Sequence, residues 1–302
     1  MRGVGTAESA LPKAALPGAV AVDHLASTVS DLDAAVAFLT AELGGQECYR
    51  EGPIADSTGD WMARKLGVPA EASARIVMIR LGERLNFEVF EYSCPGASRV
   101  APRPGAPGAS CLLLAVADLR AFAARMRLAA VVVEHDQQGI LRCSTEFGLT
   151  FEVVEDPSVD PELPADVIGI RYTVADLTAA QSFLTSVIGM GAVHDTVLGL
   201  GNGPLVELVP ATLPGPLPGN HDVGGHHLAF AVTDVDRAAE FLSQHEGVHV
   251  MGTPETVTAG PIAGDRWVYF ASPFGMQMEL ICMPDGNLPY ERATSARRWP
   301  PN

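Results

Sequence analysis

Residues 227–242 read HLAFAVTDVDRAAEFL, and this stretch decides the fold. Its first half alternates, with Leu228, Phe230 and Val232 on one face and His227, Ala229, Ala231 and Thr233 on the other, which is the period of a strand. The alternation stops at Asp234, whose carboxylate can accept from the free amides of a first helical turn, and amphipathic helical spacing follows. Three other segments repeat the pattern: HLASTVSDLDAAVAFL from His24, CLLLAVADLRAFAARM from Cys111 and GIRYTVADLTAAQSFL from Gly169. The caps are Asp31, Asp118, Asp176 and Asp234, the last three each 58 residues apart. Such a period marks an internal repeat of one structural unit.

Each unit closes with a strand that sets a glutamate among apolar residues: NFEVFEY with Glu88, LTFEVVE with Glu152, PLVELVP with Glu207 and MQMELIC with Glu279. Shorter strands such as ARIVMIRL and RWVYFAS lie between, so each unit reads strand, helix, three strands. GLGNG at 199–203 precedes the strand of Glu207 and reads as a hairpin turn rather than a nucleotide loop. Proline-rich joints separate four modules, at 20–98, 106–156, 165–211 and 222–290. Residues 1–19 are expected to be a disordered leader, and 291–302 a C-terminal tail.

At 302 residues and 47% hydrophobic, the chain can bury substantial cores. A net charge of -16 argues against nucleic acid and anionic membrane surfaces, which need a basic footprint, and favours a small-molecule substrate. Five scattered cysteines with no CxxC indicate neither a disulfide framework nor a zinc knuckle, so a reducing cytoplasm is expected; separately, a monomer or homodimer is expected. No apolar run has membrane length.

The repeat resembles the vicinal oxygen chelate superfamily, the glyoxalase, bleomycin-resistance and extradiol-dioxygenase fold. The similarity covers nearly the whole chain after about Val20 and is closest in modules one and four. HLASTVSDLDAAVAFLTAELG, DWMARKLGVP and NFEVFEYSCPG look like one half of a compact glyoxalase-like protein. GGHHLAFAVTDVDRAAEFL and GPIAGDRWVYFASPFGMQMELICMPDG look like the other. The resemblance implies an α+β fold of four βαβββ modules in two cups, with ligands from the first and last strands of each module.

The implied ligand positions are His24 and Glu88, Cys111 and Glu152, Gly169 and Glu207, and His227 and Glu279. Pairing sequence neighbours leaves one histidine per cup. Pairing module one with four, and two with three, collects His24, Glu88, His227 and Glu279 in one cup and leaves a degenerate set in the other. The outer pairing is therefore expected. His227 aligns with His24, which makes His226 a neighbour at the strand entrance. In the inner cup, Glu152 and Glu207 read as solvent-facing sheet residues and Cys111 as a small buried hydrophobe.

Two imidazoles and two carboxylates suit one divalent ion: zinc, nickel, cobalt, manganese or ferrous iron. The resemblance implies an isomerase, epimerase or lyase that stabilises the enolate of a small carbonyl substrate, with Glu279 or Glu88 moving the proton. The alternatives are a ferrous extradiol-type dioxygenase, using His24, His227 and Glu279, and a metal-free binding or resistance protein. Trp61, Arg266 and Tyr269 are candidate substrate contacts, though packing and a surface ion pair account for such residues equally well.

Overall fold

The computed structural model describes residues 15–135, 139–283 and 288–298. Module one supplies β1 (Ala19–Thr28), α1 (Leu32–Leu43), β2 (Gln46–Ala55), α2 (Trp61–Leu66), β3 (Ser73–Leu81) and β4 (Leu85–Ser93). Module two supplies β5 (Ser110–Val116), α3 (Leu119–Leu128), β6 (Val132–His135), β7 (Leu141–Ser144) and β8 (Thr150–Glu155). Module three has β9 (Asp166–Val174), α4 (Leu177–Phe183), β10 (Gly191–His194), β11 (Val197–Gly199) and β12 (Leu205–Pro210). Module four has β13 (His226–Val232), α5 (Val235–Ser243), the short β14 (His249–Val250) and β15 (Glu255–Thr256), then β16 (Arg266–Ala271) and β17 (Gln277–Cys282).

The four repeated aspartates are N-caps. Asp31, Asp118, Asp176 and Asp234 each have extended backbone and accept from the amide three residues on, at 2.9–3.0 Å. One side chain thus ends a strand's continuation and satisfies an otherwise orphaned helical donor.

Among the described residues there are two mixed sheets. One runs β14-β16-β17-β13-β1-β4-β3-β2, with β15 on β16, and the other β10-β11-β12-β9-β5-β8-β7-β6. Modules one and four therefore share a sheet, as do two and three. The opening strands pair antiparallel at each centre, β1 with β13 and β5 with β9. Each also pairs in parallel with the last strand of its own module: β4, β17, β8 and β12. The GLGNG turn does join an antiparallel hairpin, with Leu198 opposite Val206.

Strand alternation divides the residues between two environments. Leu25, Phe87, Val89, Leu228, Phe230, Val232, Met278 and Leu280 turn to one extended core that also contains residues of all five helices but α2. Each such large side chain contributes ~1.5–3 kcal/mol on burial. Ala26, Phe90 and Tyr269 turn the other way and, with Met62 and Leu66 of α2, line the outer cup. Helices also join the two cups: Phe38 of α1 lies 5.7 Å from Phe147 and 5.8 Å from Phe151, and Phe183 of α4 lies 6.0 Å from Phe274.

The expected leader differs from expectation where it is described. The leader is ordered from its last residues, because Leu16 is buried in the main core and its amide donates to Val187 O at 2.6 Å. Residues 1–14 lie outside the described part. At the other end, Tyr290, the last residue of module four, lies 5.2 Å from Tyr49, and in the tail Arg298 is buried.

Candidate metal centre

The register of the outer sheet explains how four distant residues meet. His24 on β1 is opposite Ala229 on β13, and Ala229 is beside Glu279 on β17. Symmetrically, His227 is opposite Ala26, and Ala26 is beside Glu88 on β4. An alanine thus sits between the donors in each row and leaves open the space above it. The two carboxylates come from opposite flanks of the central strand pair.

The donors converge closely. His24 Nε2 is 3.1 Å from His227 Nε2, 3.4 Å from Glu88 Oε2 and 3.1 Å from Glu279 Oε2. His227 Nε2 lies 3.4 Å from each of the same carboxylate oxygens. All four residues are buried, with ligand atoms within 4.8 Å of one another. Donors about 2.1 Å from one ion stand roughly 3.0 Å apart at a right angle and roughly 3.4 Å apart at a tetrahedral angle, so the set fits a divalent ion. With the His24 Nδ1 proton directed to Asp23, the Nε2 of a neutral His24 is left as a bare acceptor facing the other three donors, as a metal ligand must be.

A proton competes for the same place. Burial disfavours the charged His24, but Glu88, Asp23 and Glu279 outweigh it and raise its pKa well above the usual value. Burial likewise pushes the Glu88 carboxyl up, yet His24 and His227 overcome that and hold it well below its usual range.

Two residues behind His24 were not singled out from the sequence. Asp23 Oδ1 accepts from His24 Nδ1 at 2.8 Å, and the buried Arg298 guanidinium bonds the same carboxylate. Burial raises the Asp23 pKa, but Arg298 and His24 outweigh it, leaving the carboxyl below its usual range. A carboxylate behind a ligating imidazole fixes its tautomer and ring orientation. Asp23 adjoins His24 in the chain and could have been noticed, whereas Arg298 is 275 residues away. His227 Nδ1 has no such partner.

His24, Glu88 and Glu279 open onto a cavity of about 290 Å³, with His227 fully buried behind it. Trp61 and Tyr269, two of the three candidate substrate contacts, line it. Trp61 Nε1 donates to Glu255 at 2.9 Å, tying α2 to β15 over the cavity, and Tyr269 Oη is 3.5 Å from His227 Nε2. Arg266 is placed elsewhere. The alternation that turns Trp267 and Tyr269 into the cavity points Arg266 to the helix side, where it bonds Asp236 at 2.6–2.7 Å and Thr256 at 2.9 Å. His226 is also apart, stacked on Tyr172 at 4.6 Å.

The inner cup is filled differently. Where the outer rows have Ala26 and Ala229, the inner ones have Leu113 and Arg171. Arg171 bonds Glu207 at 2.9 Å and also bonds Glu152, which Arg142 reaches at 3.0 Å. The two glutamates are thus ion-paired partners of a guanidinium rather than solvent-facing residues. Gly169 could carry no imidazole, because a Cβ there would stand 2.1 Å from Leu205 O. Cys111 is half-buried, and burial pushes its thiol up to about 12. Its third repeat position, Leu or Arg against Ala, was the available sequence signal.

Comparison with known proteins agrees with this architecture. Residues 167–280 match the family model of the Glyoxalase/Bleomycin resistance protein/Dioxygenase superfamily. Over 286 residues the chain is 34% identical to a 2-epi-5-epi-valiolone epimerase of Actinomyces sp, covering 95% of this chain and 91% of that protein. Glyoxalase I from Zea mays superposes with a TM-score of 0.62 at 16% identity, over 86% of this chain and 92% of that one. A candidate dioxygenase from Bacillus subtilis gives 0.61 at 14% identity, over 89% and 87%. At such identities the two structures speak for the fold alone.

Proposed function

Because the chain belongs to the glyoxalase, bleomycin-resistance and dioxygenase superfamily and is an enzyme of the isomerase type, we propose that it epimerises a carbon beside a carbonyl in a small hydroxylated substrate. The observation that carries this reading is the placing of Glu88 and Glu279 on opposite flanks of the His24–His227 pair, both lining one cavity. His24, Glu88, His227 and Glu279 would hold one divalent ion, zinc, nickel, cobalt, manganese or ferrous iron. Such an ion, when bound, supplies Lewis acidity that lowers the cost of removing a proton next to a carbonyl.

The protein's own groups do the rest. A carboxylate on one flank accepts the proton from the substrate carbon, and the carboxylate on the other returns one to the opposite face, which inverts the centre. Glu279 and Glu88 are assigned these two roles. Trp61, Tyr269 and the apolar walls hold the substrate and exclude water, and Asp23 with Arg298 keeps the His24 ring oriented. Four protein donors leave little room for dioxygen beside a chelating substrate, which favours proton transfer over oxygen chemistry.

Incubation with 2-epi-5-epi-valiolone in deuterated water, followed by NMR, tests this. The expected outcome is a second epimer with solvent deuterium at the carbon beside the carbonyl, in the absence of oxygen consumption. Glu279→Gln is expected to lower turnover on the order of a hundredfold. Metal-loaded protein that neither exchanges deuterium nor changes the substrate overturns the reading, and strict dependence on oxygen and ferrous iron replaces it with the dioxygenase.

A further inference from the structure

Asp265 immediately precedes β16, is 1% exposed, and lines the same cavity as His24, Glu88 and Glu279. Its backbone is tied down by Asp265 N donating to Ile262 O at 3.0 Å and by Val257 N donating to Asp265 O at 2.8 Å. Its side chain is not, because Oδ1 is buried without a hydrogen-bond partner. Other polar groups of this wall are committed: Trp61 to Glu255, Glu255 also to Lys65 at 2.8 Å, and Thr256 to Arg266. A buried acceptor left unmet costs stability, so the fold by itself does not account for it.

Its position relative to the donors is set by the strand. Asp265, Trp267 and Tyr269 line one face of the cavity, and Tyr269 pairs across the sheet with Glu279. Asp265 precedes Arg266, which pairs with Cys282 three residues beyond Glu279, so it stands farther along the wall than Glu279 while its carboxyl still feels that charge. Burial, then the neighbouring Glu279 charge, pushes the Asp265 carboxyl up to about 8. A neutral carboxyl both donates and accepts, which is the complement of a hydroxyl group.

We propose that Asp265 binds a substrate hydroxyl other than those next to the reacting carbon, and thereby selects a polyhydroxylated cyclic ketone over one whose only oxygens are those next to that carbon. This rests on reading the outer cavity as the epimerase site. Asp265 fixes the register of the substrate, so that one carbon, and no other, is presented between Glu88 and Glu279.

Cobalt-loaded protein is titrated with 2-hydroxycyclohexanone and with its pentahydroxy counterpart, an inosose, following the fluorescence of Trp61 and Trp267. The unaltered protein is expected to bind the inosose more tightly. Asp265→Leu should weaken inosose binding roughly tenfold or more while changing 2-hydroxycyclohexanone binding little, and Asp265→Asn should retain most of the preference. The melting temperature of the Leu variant should rise, which shows that a loss of binding is not a loss of fold. Equal affinity of the unaltered protein for the two probes, an equal loss for both in the Leu variant, or no preference left in the Asn variant overturns the proposal. Failure of the epimerase reading looks different: the probes bind and are discriminated as expected, yet no deuterium enters either one.

Discussion

His226 and His227 are consecutive, yet their rings meet different fates because successive strand residues face opposite ways. His227 Nε2 joins three other donors at 3.1–3.4 Å, whereas His226 stacks on Tyr172, where burial pushes its pKa down to about 4. His227→Ala is therefore expected to abolish the binding of a divalent ion, and His226→Ala to leave about one ion per chain, as counted by elemental analysis after dialysis. Equal metal content in the two variants contradicts the assignment. Asp265 supplies a pH signature at the same scale. Burial and then Glu279 raise its pKa from 3.8 to about 8, with Asp23 adding to the rise and Arg298 and His24 opposing it. The folded state thus holds this proton more tightly than the unfolded chain, so the group's stabilising contribution is full below about pH 4 and is lost as pH rises through about 8. Relative to Asp265→Asn, the unaltered protein, both freed of metal by chelator so that Glu279 keeps its charge, should lose stability over that interval. Parallel stability curves for the two proteins refute the raised pKa.

At the scale of the element, the opening strand of each module carries the distinction between a donor site and a filled one. The third residue of the repeat is Ala26 or Ala229 in the outer cup, and Leu113 or Arg171 in the inner. Ala229→Arg should therefore convert the outer cup into a copy of the inner, with a guanidinium lying against Glu279 as Arg171 lies against Glu207. The expected result is loss of metal binding with retention of the folded circular-dichroism spectrum, because the inner cup already folds around that arrangement. Unchanged metal affinity in this variant shows that the space above Ala229 is not where the ion sits. The same repeat shows what local sequence conveys well: the four aspartate caps and the strand-to-helix switch each depend on residues within a few positions, and all four are found as read.

At the scale of the whole molecule, one extended core takes residues from all four modules, and helices of one cup pack on the sheet of the other. Thermal unfolding is expected as a single transition, and a divalent ion that binds only the folded state should stabilise the whole chain by about 2.7 kcal/mol at a hundredfold excess over its Kd. Calorimetry with and without chelator checks this, and an ion that leaves the midpoint unmoved removes the case for a site in the folded protein. The family match at 167–280 is continuous in sequence, yet its two modules lie in different sheets, so adjacency in the chain does not decide which modules share a cup. The outer pairing was legible because the donor types sort the modules: only one and four carry a histidine at the first position. By itself the sequence determined the repeat, its caps, the faces of its strands and the four side chains that meet in the outer cup, since periodicity, capping and residue chemistry act over short stretches of chain. Tertiary structure alone decided that Arg171 fills the inner cup, that Arg298 reaches Asp23 from 275 residues away, that Arg266 turns from the cavity to Asp236, and that Asp265 is buried in its wall with an oxygen unspent. Each of these depends on which distant side chain occupies the space in front of a given residue, and that is set by the packing of one strand or helix against another.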